Sequence, residues 1–325
     1  MEIKNASVEI NGGCNYSCPM CPQSAGREKS FLKKLPLKLF EEACEQLSDV
    51  GCKDISLQGS GEPLLSRNIT SYIDIANKYR IRTSIVTNGY LLTEKTSQEL
   101  LDSGISDIRV SVIGYDKDTY KHWMSKDAFR LVYQNCRQFL ALQRKGEYLD
   151  TRLGSYHLIL DNNNVEHDLD QYLANWINPL QIKSEVWKMH NWAGQYDSEN
   201  VRQGEKRSCG RPFAPYINIR AGGLDKKHGA VVPCCYVLGQ DSKAVLGHLE
   251  DSTIYDIWTS KEYYDLRQAH RKERWDDIDY CKNCDQLYDA PDSLVWTNIE
   301  GKEYGQHKYN QSIDFRKILD NAKKN

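Results

Sequence analysis

Residues 9–29 read "EINGGCNYSCPMCPQSAGREK", placing Cys14, Cys18 and Cys21 in one short loop. No fourth thiol or histidine stands beside them. Iron–sulfur clusters and structural zinc both ordinarily take four protein ligands. A triad leaves one coordination position open, and an open position is where chemistry takes place.

Working outward, apolar and polar segments alternate regularly. "ASVEI" reads as a strand entering the loop, and "LKLFEEACEQLSDVG" as a helix ending at Gly51. "KDISLQGSGEP" is a strand running into a glycine turn, and "ITSYIDIANKYR" is a helix. "RTSIVTNGY", "DIRVSVIG", "RLGSYHLIL" and "IKSEVWKMH" are further strands, with helical stretches between them. Six strands alternating with helices predict βαβ units and a parallel sheet. Six are too few for a closed eight-stranded barrel, so the expected fold is α/β, a partial (β/α)6 parallel barrel. Ligands in such folds sit at the carboxyl ends of the strands. The cysteine loop, "GSGEP", "TNG", "SVIG" and "HNWAG" all fall there. Singly, each of these later motifs is an ordinary turn; their shared placement makes them candidates.

The chain has 325 residues, 40% hydrophobic and 27% charged, with a formal net charge of −2. That composition is globular and long enough for a large domain with a smaller companion. The balanced charge gives no reason to expect nucleic acid or an acidic membrane surface. No apolar run has the length of a membrane span. The segment "MEIKNASVEINGG" lacks the apolar core of a secretory signal, so a cytoplasmic protein is expected. In a reducing compartment, clustered cysteines are metal ligands or redox groups more often than disulfides. Of eleven cysteines, Cys44, Cys52 and Cys136 are isolated and read as buried apolar residues. Cys209, Cys234, Cys235, Cys281 and Cys284 form a second group. Around "YDSENVRQGEKRS" the composition turns polar, which suggests a linker. The expected domains are a barrel over 1–200, a cysteine-rich α+β domain over 201–290 and a tail over 291–325. "DFRKILDNAKKN" suggests a terminal helix, while the aromatic stretch 294–309 suggests a lid, an interface or plain packing.

The spacing Cys14-x-x-x-Cys18-x-x-Cys21 after a first strand resembles the radical S-adenosylmethionine (SAM) superfamily. The resemblance implies a [4Fe–4S] cluster whose free iron is chelated by SAM, so that SAM takes the missing fourth position. It also implies cleavage of SAM to a 5′-deoxyadenosyl radical, fed by an external one-electron reductant such as flavodoxin or ferredoxin. Gly59, Ser60, Gly61 and Glu62 resemble the family's glycine-glycine-glutamate motif, with Ser60 in the middle position. Thr87, Asn88 and Ser111 resemble positions lining the SAM site. His190 and Trp192, after the sixth strand, are placed to approach the adenine or the substrate. Met20 departs from the pattern, since an aromatic residue commonly precedes the third cysteine.

The later cysteines resemble the SPASM or shorter twitch extension of the same superfamily, with Cys209, Cys234, Cys281 and Cys284 holding one auxiliary [4Fe–4S] cluster. Four thiolates with a close terminal pair suit zinc equally well by spacing alone. Adjacent side chains on a strand point to opposite faces, so only one of Cys234 and Cys235 is expected to face the metal. The resemblance makes that one Cys234, leaving Cys235 as a packed thiol or a catalytic hydrogen-atom donor. Two clusters imply an oxidoreductase acting on a small polar substrate, sugar or aminocyclitol-like. An epimerase with a cysteine donor (Cys235, then Cys52 and Cys136) is the first alternative, and a peptide maturase the second. Cys14 lies close to the first residue, which lowers the expectation of a leader-binding domain. A zinc-stapled binding module is the non-enzyme alternative, against which the open triad argues.

Overall fold

The computed structural model describes residues 2–25, 33–197, 205–222, 226–237, 244–288 and 294–299. The six early apolar segments all form strands: β1 (Asn5–Val8), β2 (Asp54–Ser56), β3 (Arg82–Thr87), β4 (Asp107–Ser111), β5 (Arg152–Ile159) and β6 (Lys183–Lys188). They lie side by side in chain order and all run parallel. Parallel neighbours need a crossover, and same-handed crossovers taken in one direction put the helices on one face. Ten α-helices are described: α1 (Pro22–Ala25), α2 (Leu37–Asp49), α3 (Ile69–Lys78), α4 (Glu94–Asp102), α5 (Lys117–Met124), α6 (Phe129–Lys145), α7 (Val165–Tyr172), α8 (Asn178–Leu180), α9 (Ile254–Trp258) and α10 (Lys261–Arg271). This is the partial barrel that the strand–helix alternation implies.

Side-chain alternation divides the two faces of the sheet. Ile55, Ile85, Ile108 and Val110 are fully buried, whereas Ser56, Ser84, Arg109 and Tyr156 take the alternate positions and are half-buried. The helices answer with apolar stripes, as α2 shows by burying Phe40, Ala43, Cys44 and Leu47. Gly51, at φ +87°, ends that helix where a side chain would be strained. Cys44 and Cys136 lie on the buried faces of α2 and α6. Cys52 precedes β2 at its amino end and is also buried. Burial pushes the Cys52 and Cys136 thiols up to about 11 and about 12. Neither sits among the loops at the carboxyl ends of the strands, so as hydrogen donors both are misplaced.

The sheet runs on past the polar stretch near residue 200. β7 (Tyr216–Gly222) pairs parallel with β1, aligning Ser7 with Asn218. β8 (His228–Val232) returns antiparallel to β7, and β9 (Gly247–His248) pairs with β8. On the opposite edge, β10 (Leu294–Thr297) pairs antiparallel with β6. The first part of the aromatic stretch is therefore an edge strand. Its remainder, the suggested terminal helix and most of the polar linker lie outside the described residues. The described helices include none long and apolar enough to cross a membrane.

Candidate functional site

Past β1 the chain turns sharply, and its own side chains hold the turn. Asn11 Nδ2 donates to the carbonyls of Gly13 and Glu62, both at 2.9 Å. Gln23 donates to the Gly12 carbonyl. Cys14, Cys18 and Cys21 are half-buried in this loop, and the Cys21 amide donates to the Cys18 carbonyl at 3.0 Å just before α1 begins. Cys18 Sγ lies 3.7 Å from the Met124 carbonyl at the end of α5. Tyr16 meets the Tyr120 hydroxyl at 3.2 Å. Lys126 stands over the Tyr16 and Tyr90 rings, 5.6 and 5.0 Å from their centroids. Met20 is buried in the main core.

The glycine turn after β2 packs directly on this loop. A Cβ on Gly61 would lie 2.3 Å from the Asn11 carbonyl oxygen and 2.4 Å from that of Gly13. One on Gly59 would meet the Glu9 side chain at 2.1 Å. Both glycines thus serve close contact between the turn and the cysteine loop. The Ser60 amide donates to the Glu9 carboxylate. Glu62 is buried, and its carboxylate accepts from the Thr87 hydroxyl at 2.6 Å and the amides of Asn88 at 2.8 Å and Leu64 at 3.0 Å. Burial raises its pKa to about 7, and those three donors oppose the rise. Asn88 Nδ2 in turn donates to Asn15 Oδ1 at 2.8 Å. Gly59 to Glu62, Thr87, Asn88 and the cysteine loop therefore form one hydrogen-bonded assembly at the strand ends. Ser111 ends β4 beside Tyr156 of β5, half-buried.

The second cysteine group converges as well. Burial lifts the thiols of Cys209, Cys281 and Cys284, and that of Cys234 to about 12; neighbouring thiols add to the rise at Cys234, Cys281 and Cys284, whereas Arg211 opposes it at Cys209. Cys234 and Cys235 follow β8 in a turn, so strand alternation does not govern them, contrary to expectation. Cys235 Sγ accepts from Arg211 Nη1 at 3.6 Å, while the Cys234 thiol feels the charge of Cys235 first and then those of Arg211 and Cys209. Arg211 also lies 4.6 Å from the Tyr236 ring centroid. Thiolates bound to a cluster would balance the charge of the half-buried Arg211 guanidinium. The donor set fits such a group. Among the described residues, no three His, Cys, Asp or Glu are grouped so as to hold a single metal ion.

His190 and Trp192 lie at the join between the two regions. The His190 ring is 4.4 Å from that of Trp192 and 4.2 Å from that of Tyr236. The loop carrying them is tied to the last cysteine pair: the Asn191 amide donates to Asp285 at 2.6 Å, and Asn191 Nδ2 donates to the Asn283 carbonyl at 2.7 Å. Trp192 and Ala193 adopt φ values of +47° and +57°, a conformation non-glycine residues rarely hold. Burial, with Arg211 nearby, lowers the His190 pKa to about 3, so the ring is neutral. Its Nδ1 accepts from the Trp192 amide at 3.2 Å, which places the proton on Nε2. The Trp192 indole nitrogen is buried with no acceptor among the described residues.

Three residues at this join escaped notice in the sequence, Glu9, Arg211 and Arg220. Arg220 is 2% exposed and donates to the carbonyls of Cys235 and Val237, both at 3.0 Å. Glu9 lies 3.9 Å from it and also accepts from the Ala221 amide at 3.2 Å. A signal was available, since a charged residue in the middle of "YINIRAG" interrupts an otherwise apolar strand.

Comparison with known proteins adds independent findings. A family model for the radical SAM superfamily matches residues 8–166, and one for an iron–sulfur cluster-binding domain, SPASM, matches 226–285. The chain is 28% identical over 285 residues to the S-adenosyl-L-methionine-dependent 2-deoxy-scyllo-inosamine dehydrogenase of Niallia circulans, covering 86% of this chain and 92% of that one. Its fold resembles that of BtrN in complex with AdoMet and 2-DOIA, with a TM-score of 0.60 and 23% identity over 91% of this chain and all (100%) of that one. It also resembles SuiB of Streptococcus suis bound to the precursor peptide SuiA, with a TM-score of 0.65 and 15% identity over 87% of this chain and 71% of that one.

Proposed function

The chain belongs to the radical SAM superfamily and carries a C-terminal SPASM domain, and from that premise we propose that it oxidises an alcohol or amine carbon of a small, polyhydroxylated, aminocyclitol-like substrate. The family's cofactors are SAM on a [4Fe–4S] cluster and an auxiliary iron–sulfur cluster. When bound, they supply a carbon-centred radical that takes one hydrogen atom and an acceptor for the one electron left after proton loss. The balance is then a CH–OH group giving C=O, one hydrogen atom, one proton and one electron. In this reading Cys14, Cys18 and Cys21 hold the first cluster, and Cys209, Cys234, Cys281 and Cys284 the second.

The observation that carries the proposal is the join between the two cysteine groups. Trp192 Nε1 offers a buried hydrogen bond that no described residue accepts. His190 presents Nε2–H, and Arg211 adds a cation. Hydroxyl oxygens are acceptors matched to such donors, and donors facing an oxygen favour its loss of a proton. The Glu62, Thr87 and Asn88 assembly keeps the cysteine loop and its neighbouring turn in fixed relation. The dehydrogenase of Niallia circulans, similar along most of both chains, acts on an aminocyclitol by its name.

The test is anaerobic reconstitution followed by iron and sulfide counts, reductant-dependent release of 5′-deoxyadenosine, and product mass with a panel of aminocyclitols. About eight irons in the wild type and about four in a Cys14/Cys18/Cys21 triple alanine variant are expected. Nucleoside release is expected only from the wild type, with a carbonyl product. A product of unchanged mass would overturn oxidation in favour of epimerisation, and Cys235→Ala would then abolish turnover without loss of iron. Turnover of a peptide alone would favour a maturase.

A further inference from the structure

Arg211 opens a short turn (Arg211–Phe213) two residues after Cys209. Its guanidinium stacks on Tyr236 and donates to Cys235 Sγ. Its charge also acts on Cys234 and Cys209, so a fixed cation lies near two of the four proposed ligand thiols, in contact with the residue next to Cys234. Arg220 differs in its surroundings. It holds the backbone of the Cys235 turn, and the Glu9 carboxylate stands 3.9 Å away as its counter-ion. Arg211 thus brings charge to the thiols, and Arg220 holds the turn in place.

A cluster on four thiolates gains one unit of negative charge on reduction, with no bond made or broken. A fixed positive charge nearby favours the more negative state, and low dielectric strengthens the effect. We propose that Arg211 sets the reduction potential of the auxiliary cluster, keeping it high enough to accept the single electron released when the deprotonated substrate radical becomes the carbonyl product. Arginine suits the task because it stays protonated when buried and stacks flat on an aromatic ring. This rests on the reading of Cys209, Cys234, Cys281 and Cys284 as ligands of one cluster.

The experiment uses the full chain with Cys14, Cys18 and Cys21 replaced by alanine, so that the auxiliary cluster alone is observed. Its midpoint is read by EPR-monitored redox titration in that background and with Arg211→Met or Arg211→Lys added. Arg211→Met is expected to weaken electron uptake at least tenfold, a shift of about 59 mV to more negative potential for a one-electron couple. Arg211→Lys, which keeps the charge, is expected to stay nearer the parent. An unmoved midpoint in Arg211→Met with about four irons retained overturns the proposal. So does a lysine variant that shifts as far as the methionine one. If the methionine variant loads poorly, Arg211→Gln, uncharged but still a donor, carries the same expectation and the same refutation. Loss of iron from the triple-alanine parent itself would instead strike the ligand assignment.

Discussion

Glu62 shows how one carboxylate serves two masters. Its three donors hold it in place, yet burial raises its pKa from 4.5 to about 7. The folded chain therefore keeps a proton that the unfolded chain releases. Its contribution to stability is complete below pH 4.5, falls as pH rises toward 7, and is flat above. The full change is roughly 3 kcal/mol, at about 1.4 kcal/mol per pH unit. Glu62→Gln removes the titration, so the stability difference between variant and wild type changes across that window. Parallel unfolding curves from pH 4.5 to 7.5 would refute this. Glu62→Ala leaves the Thr87 hydroxyl and the Asn88 amide without their acceptor, at a cost of about 3 kcal/mol, measurable by thermal unfolding. At this scale the sequence was legible where a motif concentrated the signal. Glu62 stood in a recognisable turn, whereas Glu9 was one more alternating residue of a strand. Only the pairing of β1 with β7 shows what Glu9 faces.

Among elements, the glycine turn after β2 is the least forgiving. At Gly61 the obstruction is backbone on both sides, so an added methyl displaces the cysteine loop itself. Gly61→Ala is expected to lose about four irons and release of 5′-deoxyadenosine while the auxiliary cluster stays loaded. Retention of about eight irons would show that the loop can yield. The edge strand β10 is held by side chains as much as by its short ladder. Asn298 accepts from the Ser184 amide at 2.8 Å and donates to the Ile182 carbonyl at 3.0 Å. Asn298→Ala is expected to cost about 2 kcal/mol in thermal unfolding. The six parallel strands were legible because each shows apolar alternation, and five of them run into a glycine-bearing turn. β10 was not, because Leu294, Val295, Trp296 and Thr297 show no period and read equally as lid or packing. The Cys234–Cys235 turn was read as strand although Pro233, between "AVV" and the two cysteines, marks the end of β8.

Across the whole molecule, the Glu9–Arg220 pair joins the two cysteine-bearing regions. Glu9 accepts from the Ser60 amide of the glycine turn, and Arg220 holds the turn bearing Cys234 and Cys235. Removing one charge leaves the other buried alone, so Arg220→Met is expected to destabilise by about 3–5 kcal/mol. Adding Glu9→Gln to it is expected to recover much of that loss. Additive effects in a double-mutant cycle would show that the two do not act as a pair. The two cysteine groups were legible from their spacing. The shared sheet was not, because strand order across more than two hundred positions leaves no local trace.

That shared sheet has a bearing on biosynthesis. β1 completes its pairing with β7 only when residues 216–222 become available, after β2 to β6 have been synthesised. Until then one side of the first strand is an open edge next to three free thiols, a configuration prone to mispairing. Sequence-distant pairing of this kind is also slow. A chain interrupted just before β7 would thus emerge with most of its barrel and no closed edge, which makes late translation the interval when shielding by chaperones and exclusion of oxygen count most.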